Sequence, residues 1–147
     1  MAGLDDYRNL EIDATNLDRE LEQQAANYIF VAERYVQAEA EYETYRVQVQ
    51  ELAAKLDQAI REEAVGAGKK ITEAQIAKEI DRHPDYIGAQ KSLISLRARR
   101  ELMKELKNSW AMRKDTLIQR CISERKERES LMGVADAVKT EAWAARS

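Results

Sequence analysis

Proline, cysteine and histidine each occur once in this chain, at Pro84, Cys121 and His83, and there are only five glycines in 147 residues. Little therefore interrupts a helix, since proline and glycine are its strongest breakers. One cysteine allows no intrachain disulfide, and a reducing cytoplasm is the expected compartment. One histidine cannot build a metal centre, which needs several ligands at set spacings. Beside a proline at a turn, His83 reads as a surface or capping residue. Cys121 falls on an apolar helical row with no base near it, so it reads as a buried, inert thiol. No apolar run approaches the length of a membrane span, and residues 1–6 lack a basic-then-apolar leader. The word GAGKK at residues 66–70 lacks the spacing of a phosphate-binding loop, and no strand precedes it. No catalytic constellation emerges. The expectation is a non-enzymatic protein without metal or cofactor.

What the chain has in quantity is charge, 35 % of its residues. Mixed with alanine and leucine, that is the composition of long helices. The length suits one domain. The net charge of −3 hides an asymmetry. Residues 1–65 carry 6 Lys/Arg against 15 Asp/Glu, a balance of −9. Residues 86–126 carry 11 against 4, a balance of +7. Two such arms attract each other, and the basic one can also offer a surface to nucleic acid.

The strongest pattern runs over residues 16–65. Leu21, Tyr28, Tyr35, Tyr42, Val49 and Leu56 recur at steps of seven. So do Val31, Ala38, Tyr45, Leu52 and Ala59, with Gln24 breaking the row. These are the a and d positions of a heptad repeat. No glycine or proline interrupts them, and good helix formers fill the remaining positions. Such a helix is roughly 70 Å long, too long to wrap around a compact core. Its seam has to lie against another long helix. Four tyrosines line that seam; their rings pack, while their hydroxyls seek a partner or water.

The rest of the chain divides around this helix. Residues 1–15 are acidic and poor in apolar anchors, a flexible lead-in with a turn of helix expected between Asp5 and Leu10. Thr15 or Asn16 is the expected N-cap of the long helix, with Asp18 and Glu20 suiting its positive end. Gly66 and Gly68 signal its stop. Residues 66–84 form a connector. Within it Thr72 to Gln75 match a capping box, and Ile76 and Ile80 mark one face of a short helix. His83 before Pro84 ends that helix, and Pro84 suits the first turn of the next, expected over residues 85–131. This last helix carries one apolar row, Tyr86, Leu93, Leu96, Met103, Leu106, Trp110, Leu117 and Cys121. A second row, Ile87, Ile94, Leu102, Ile118 and Ile122, lies beside it, the wide face of a helix with more than one neighbour. Gly133 is read as its stop. Residues 132–147 read as a short docking helix or a frayed end, with Val134, Val138 and Trp143 as oligomerisation residues. The expected architecture is all-α: a long antiparallel helical hairpin with a short helix at its tip. A lone hairpin buries little surface, so a homo-oligomer is expected.

Basic residues crowd the last helix. Lys91, Arg97, Arg99, Arg100, Lys104, Lys107, Arg113 and Lys114 fall within about seven turns. Arg100, Lys104, Lys107 and Lys114 follow three-, four- and seven-residue steps and share a face. With Lys55, Arg61, Lys69 and Lys70 near the connector, they can line a track for a phosphate backbone. Trp110 and the tyrosines can offer bases a stacking surface. The alternative is that these cations pair with the acidic first helix.

The order of elements and several local words resemble the UvsY-type recombination mediators of phages. The stretch IDATNL at residues 12–17 and AANYIFVAERY at 25–35 resemble that family's N-terminal helix. KLDQAIREEAVGAG at 55–68 resembles its basic, glycine-ended stretch. DRHPDYIGAQKSLISL at 81–96, leading into NSWAMRKDTLIQRC at 108–121, resembles its C-terminal helical half. The resemblance implies a small, non-enzymatic, all-helical protein that assembles into a ring. It implies binding of single-stranded DNA with little sequence preference. It also implies help in loading a RecA-like recombinase onto DNA covered by single-strand-binding protein, in the cytoplasm of a host cell. Arg61 sits where the family keeps a DNA-binding basic residue, and Lys55 is a looser match. The two aromatic residues that can follow this arginine in the family are replaced here by Glu63 and Ala64. A competing expectation is a structural or chaperone-like coiled-coil protein, a virion or assembly component that clamps another protein.

Overall fold

The computed structural model of the chain describes residues 10–146. The turn of helix expected between Asp5 and Leu10 lies outside the described residues up to position 9. Among the described residues there are three helices and no strand: α1 (Leu17–Gly66), α2 (Glu73–Arg82) and α3 (Pro84–Ala144). The contacts gather into two compact units. A connector unit holds residues 31–105, and a terminal unit holds residues 10–30 with 106–146. Both α1 and α3 contribute to each.

Local chemistry sets the boundaries. Asn16 caps α1: its side-chain oxygen accepts the Arg19 N–H at 3.3 Å, and its carbonyl accepts the Glu20 N–H at 3.2 Å. Thr15 instead donates its N–H to Asp13 Oδ1 at 2.9 Å, tightening the turn before the cap. At the other end Gly68 takes φ +62°. The Lys69 N–H then reaches the Ala64 carbonyl at 2.9 Å, and the Gly68 N–H reaches the Val65 carbonyl at 3.1 Å. That pair of bonds is a Schellman stop, and only glycine enters it without strain. Thr72 and Gln75 form both arms of the capping box on α2. His83 is extended, as a residue before proline must be, and closes α2. Its carbonyl and Nδ1 accept the Ile87 and Asp85 N–H groups, so the same residue opens α3 behind Pro84.

In the connector unit the chain reverses through α2, and α1 and α3 run antiparallel. Val31, Ala38, Tyr42 and Val49 of α1 are buried with Ile76 of α2 and Leu93 and Met103 of α3. Ile76 sits on the single apolar face of the short helix, the face that its spacing with Ile80 marked. The terminal unit is a second antiparallel pairing, in which Gln24, Leu106, Trp110, Arg113 and Leu117 are buried. The second apolar row of α3 stays outside: Ile87, Ile94, Leu102, Ile118 and Ile122 are all exposed.

Two expectations change. The lead-in is tied down over its last residues, because Arg113 of α3 donates to the carbonyls of Leu10 and Glu11, each at 3.0 Å. And α3 does not stop at Gly133 but continues to Ala144. One glycine inside a helix costs only about 1 kcal/mol, which the alanines and other helix formers around it offset.

Candidate nucleic-acid interface

The connector is built so that two lysines stand together at a fixed exposed turn. The Schellman stop closes with the Lys69 N–H, and the capping box begins just after Ile71. Lys69 and Lys70 are therefore presented between two locked helix ends. They line a shallow groove with Ile60, Ala64, Ile71 and Gln75. Glu63 and Glu79 also border it, yet neither makes an ion pair with these lysines. Lys55 and Lys104 are likewise exposed and hold no ion pair among the described residues.

The arginines of this unit behave differently. Arg61 is clamped by Asp57, with Nε to Oδ1 at 2.7 Å, and by both carboxylate oxygens of Glu73 at 2.7 Å. Those two carboxylates raise its pKa well above the ordinary arginine value. The residue that the family resemblance marks for DNA contact thus ties the end of α1 to the start of α2. Arg99 pairs with Glu41 across α1 and α3 at 2.8 Å. Arg100 bonds Glu101 at 2.8 Å and lies 4.3 Å over the Tyr42 ring. Arg97 approaches the same ring and its hydroxyl. Tyr42 is buried beneath these guanidinium groups, so its face is already taken.

Arg113 belongs to the core of the terminal unit. Its side chain is 5 % exposed. Nε donates to Leu10 O, Nη1 to Gln24 Oε1 at 2.8 Å, and Nη2 to Glu11 O and to the Glu20 carboxylate. The guanidinium also lies 4.9 Å over the Trp110 ring. Gln24, the break in the heptad row, returns a bond from Nε2 to the Trp110 carbonyl at 2.7 Å. A buried cation survives because nearly all its donors are used. Burial acts to raise the pKa of Glu20, but Arg113 and the Asp13 N–H outweigh it, and the carboxyl titrates below the usual range. Arg113 is therefore removed from the expected phosphate track, and Trp110, 3 % exposed, cannot stack on a base. Sequence spacing missed this cluster; the signal that could have found it was Gln24 on a buried row.

Lys107 is half-buried, and Lys114 is exposed with its ammonium 3.8 Å from Asp115. Val134, Val138 and Trp143 are exposed on α3. Cys121 is a free, half-buried thiol. Among the described residues no group of three His, Cys, Asp or Glu side chains is placed to hold a metal ion, and no helix is long and apolar enough to cross a membrane. No family model matches the chain, and no curated protein or solved structure matches it.

Proposed function

We propose that this chain is a non-enzymatic, homo-oligomeric recombination mediator that binds single-stranded DNA without sequence preference. The observation that carries the reading is the pair Lys69 and Lys70, exposed between two capped helix ends and, among the described residues, unclaimed by any carboxylate. Lys55 and Lys104 are further cations of the same unit with no ion pair among the described residues. A few lysines on one copy give weak, salt-sensitive attraction to phosphates. Repeating them around a ring-like assembly raises the apparent affinity by orders of magnitude. A strand held along such an assembly is extended, the form a RecA-like recombinase filament accepts when it displaces single-strand-binding protein.

Retention of labelled poly-dT at low and moderate salt tests the reading. Binding that weakens steeply with salt is the expected result. Lys69→Ala with Lys70→Ala should flatten the dependence of log affinity on log salt by about 1.4, the share of two phosphate contacts to a single strand. Arg61→Ala should act mainly on the α1–α2 contact.

A second reading is a helical clamp on another protein. The exposed row Ile87, Ile94 and Leu102 on α3 favours it, since an apolar row of that length suits a partner helix. No retention of poly-dT at low salt would decide for the clamp.

A further inference from the structure

Beyond Glu124 every described residue of α3 is exposed. Among the described residues, the segment before α1 and the first turns of α1 meet α3 at a groove lined by Ala14 to Asp18, Leu21, Cys121, Glu124, Arg125 and Arg128. Yet the stripe that α1 covers does not end there. Leu117, Cys121, Glu124, Arg128, Leu131, Ala135, Val138, Ala142 and Ala145 follow one another at alternating steps of four and three. The intrachain seam thus continues in phase for four more turns with nothing of the described chain upon it. Between Leu131 and Ala145 this stripe carries no charge, and Leu131 and Val138 are 69 % and 59 % exposed.

We propose that this stripe binds the same stripe of a second copy, antiparallel, about a two-fold axis. The occupant is a second copy because two equal stripes cover each other completely in one isologous contact. The direction follows from side-chain size and charge. Run antiparallel, Leu131 faces Ala142 of the second copy and Val138 faces Ala135, and the two-fold repeats both layers. Each layer then pairs one large residue with one small, which lets the helices approach evenly. Run parallel, Leu131 meets Leu131 and Ala135 meets Ala135, so layers alternate between crowded and hollow. The parallel pair also sets Glu124 against Glu124 and Arg128 against Arg128 within the seam. In the antiparallel pair Arg128 meets only Ala145 at the edge.

This inference rests on the homo-oligomer in the proposed function but not on its DNA contact. An isologous contact accounts for one doubling, so a larger ring built with it has an even number of copies. The experiment uses the full chain without nucleic acid. Sedimentation equilibrium of Leu131→Asp and of Val138→Asp should show a fall in mass of at least twofold with helical content kept, since both sites are exposed in one copy. Direction is read by oxidative cross-linking in a Cys121→Ser background. A mixture of Leu131→Cys and Ala142→Cys chains should give a mixed disulfide pair, while Leu131→Cys alone stays uncross-linked. Unchanged mass in the aspartate variants, or self-cross-linking of Leu131→Cys, overturns the proposal. Poly-dT retention by the wild-type chain is measured separately, so loss of either reading leaves the other decided on its own.

Discussion

Arg113 shows how much one side chain can hold. It joins three pieces of the terminal unit, namely the segment before α1, the first turns of α1, and α3. Replacing it with methionine keeps much of the volume and the packing on Trp110. It leaves Glu20, Gln24 and two carbonyls without their donor. The expected loss is about 3–5 kcal/mol, the usual effect of removing one partner from a buried ion pair. Chemical denaturation of Arg113→Met against the parent measures it. Lysine is no substitute, because a single ammonium cannot span four acceptors arranged around a planar fork. Glu20 adds a pH dependence of definite sign. Its folded carboxyl binds protons less readily than the unfolded one. The stabilisation is therefore complete above the ordinary glutamate value of about 4.3 and is lost as pH falls through the lowered folded value. Glu20→Gln should make the acid limb of stability shallower, which denaturation midpoints across that range would show.

At the scale of the helices, the glycines separate two kinds of stop signal. Gly68 has a positive φ and closes the Schellman stop; Gly133 sits inside α3 with ordinary helical geometry. Neither site is crowded, since an added Cβ meets nothing within 4 Å at either. Backbone conformation alone then decides the sign. Gly68→Ala should destabilise by about 1 kcal/mol, and Gly133→Ala should stabilise by a similar amount. Thr72→Ala removes one arm of the capping box and should cost about 1 kcal/mol. Thermal melts of these three variants in parallel test the set, and a stabilised Gly68→Ala would contradict the assigned stop. A flexible reading of the connector would predict no difference, whereas two locked helix ends predict that Lys69 and Lys70 keep their placement only while both stops hold.

For the molecule as a whole, the acidic and basic arms satisfy each other in part. Arg99 with Glu41 and Arg113 with Glu20 join the two arms, and Arg61 with Glu73 joins the end of α1 to the connector; each uses a cation that composition alone leaves available to phosphate. What remains is a shorter set of lysines, so attraction to a polyanion should depend strongly on the number of copies. Removing residues 132–147 should lower the assembly mass, and with it the apparent affinity for poly-dT, while Lys69 and Lys70 are untouched. Native mass spectrometry and strand retention on the same preparation provide the check; affinity that survives loss of assembly contradicts the multivalent mechanism.

Helices, caps and the buried rows were legible in the amino-acid order because each is set by residues three, four or seven apart. Tyr42, Val49, Met103 and Leu117 could be placed on the inside by spacing, and Thr72 and Gln75 on a cap by identity. The roles of Arg61, Arg113 and Gln24 were not legible. Apart from Asp57, one turn before Arg61, their hydrogen-bond partners lie from 12 to 103 positions away, and a cation on a helix face looks the same whether water or a distant carboxylate awaits it. Gly133 was misread for a related reason, since glycine marks a stop only where the backbone turns left-handed. Periodicity decided which elements form; the meeting of remote side chains decided which charges remain free to act.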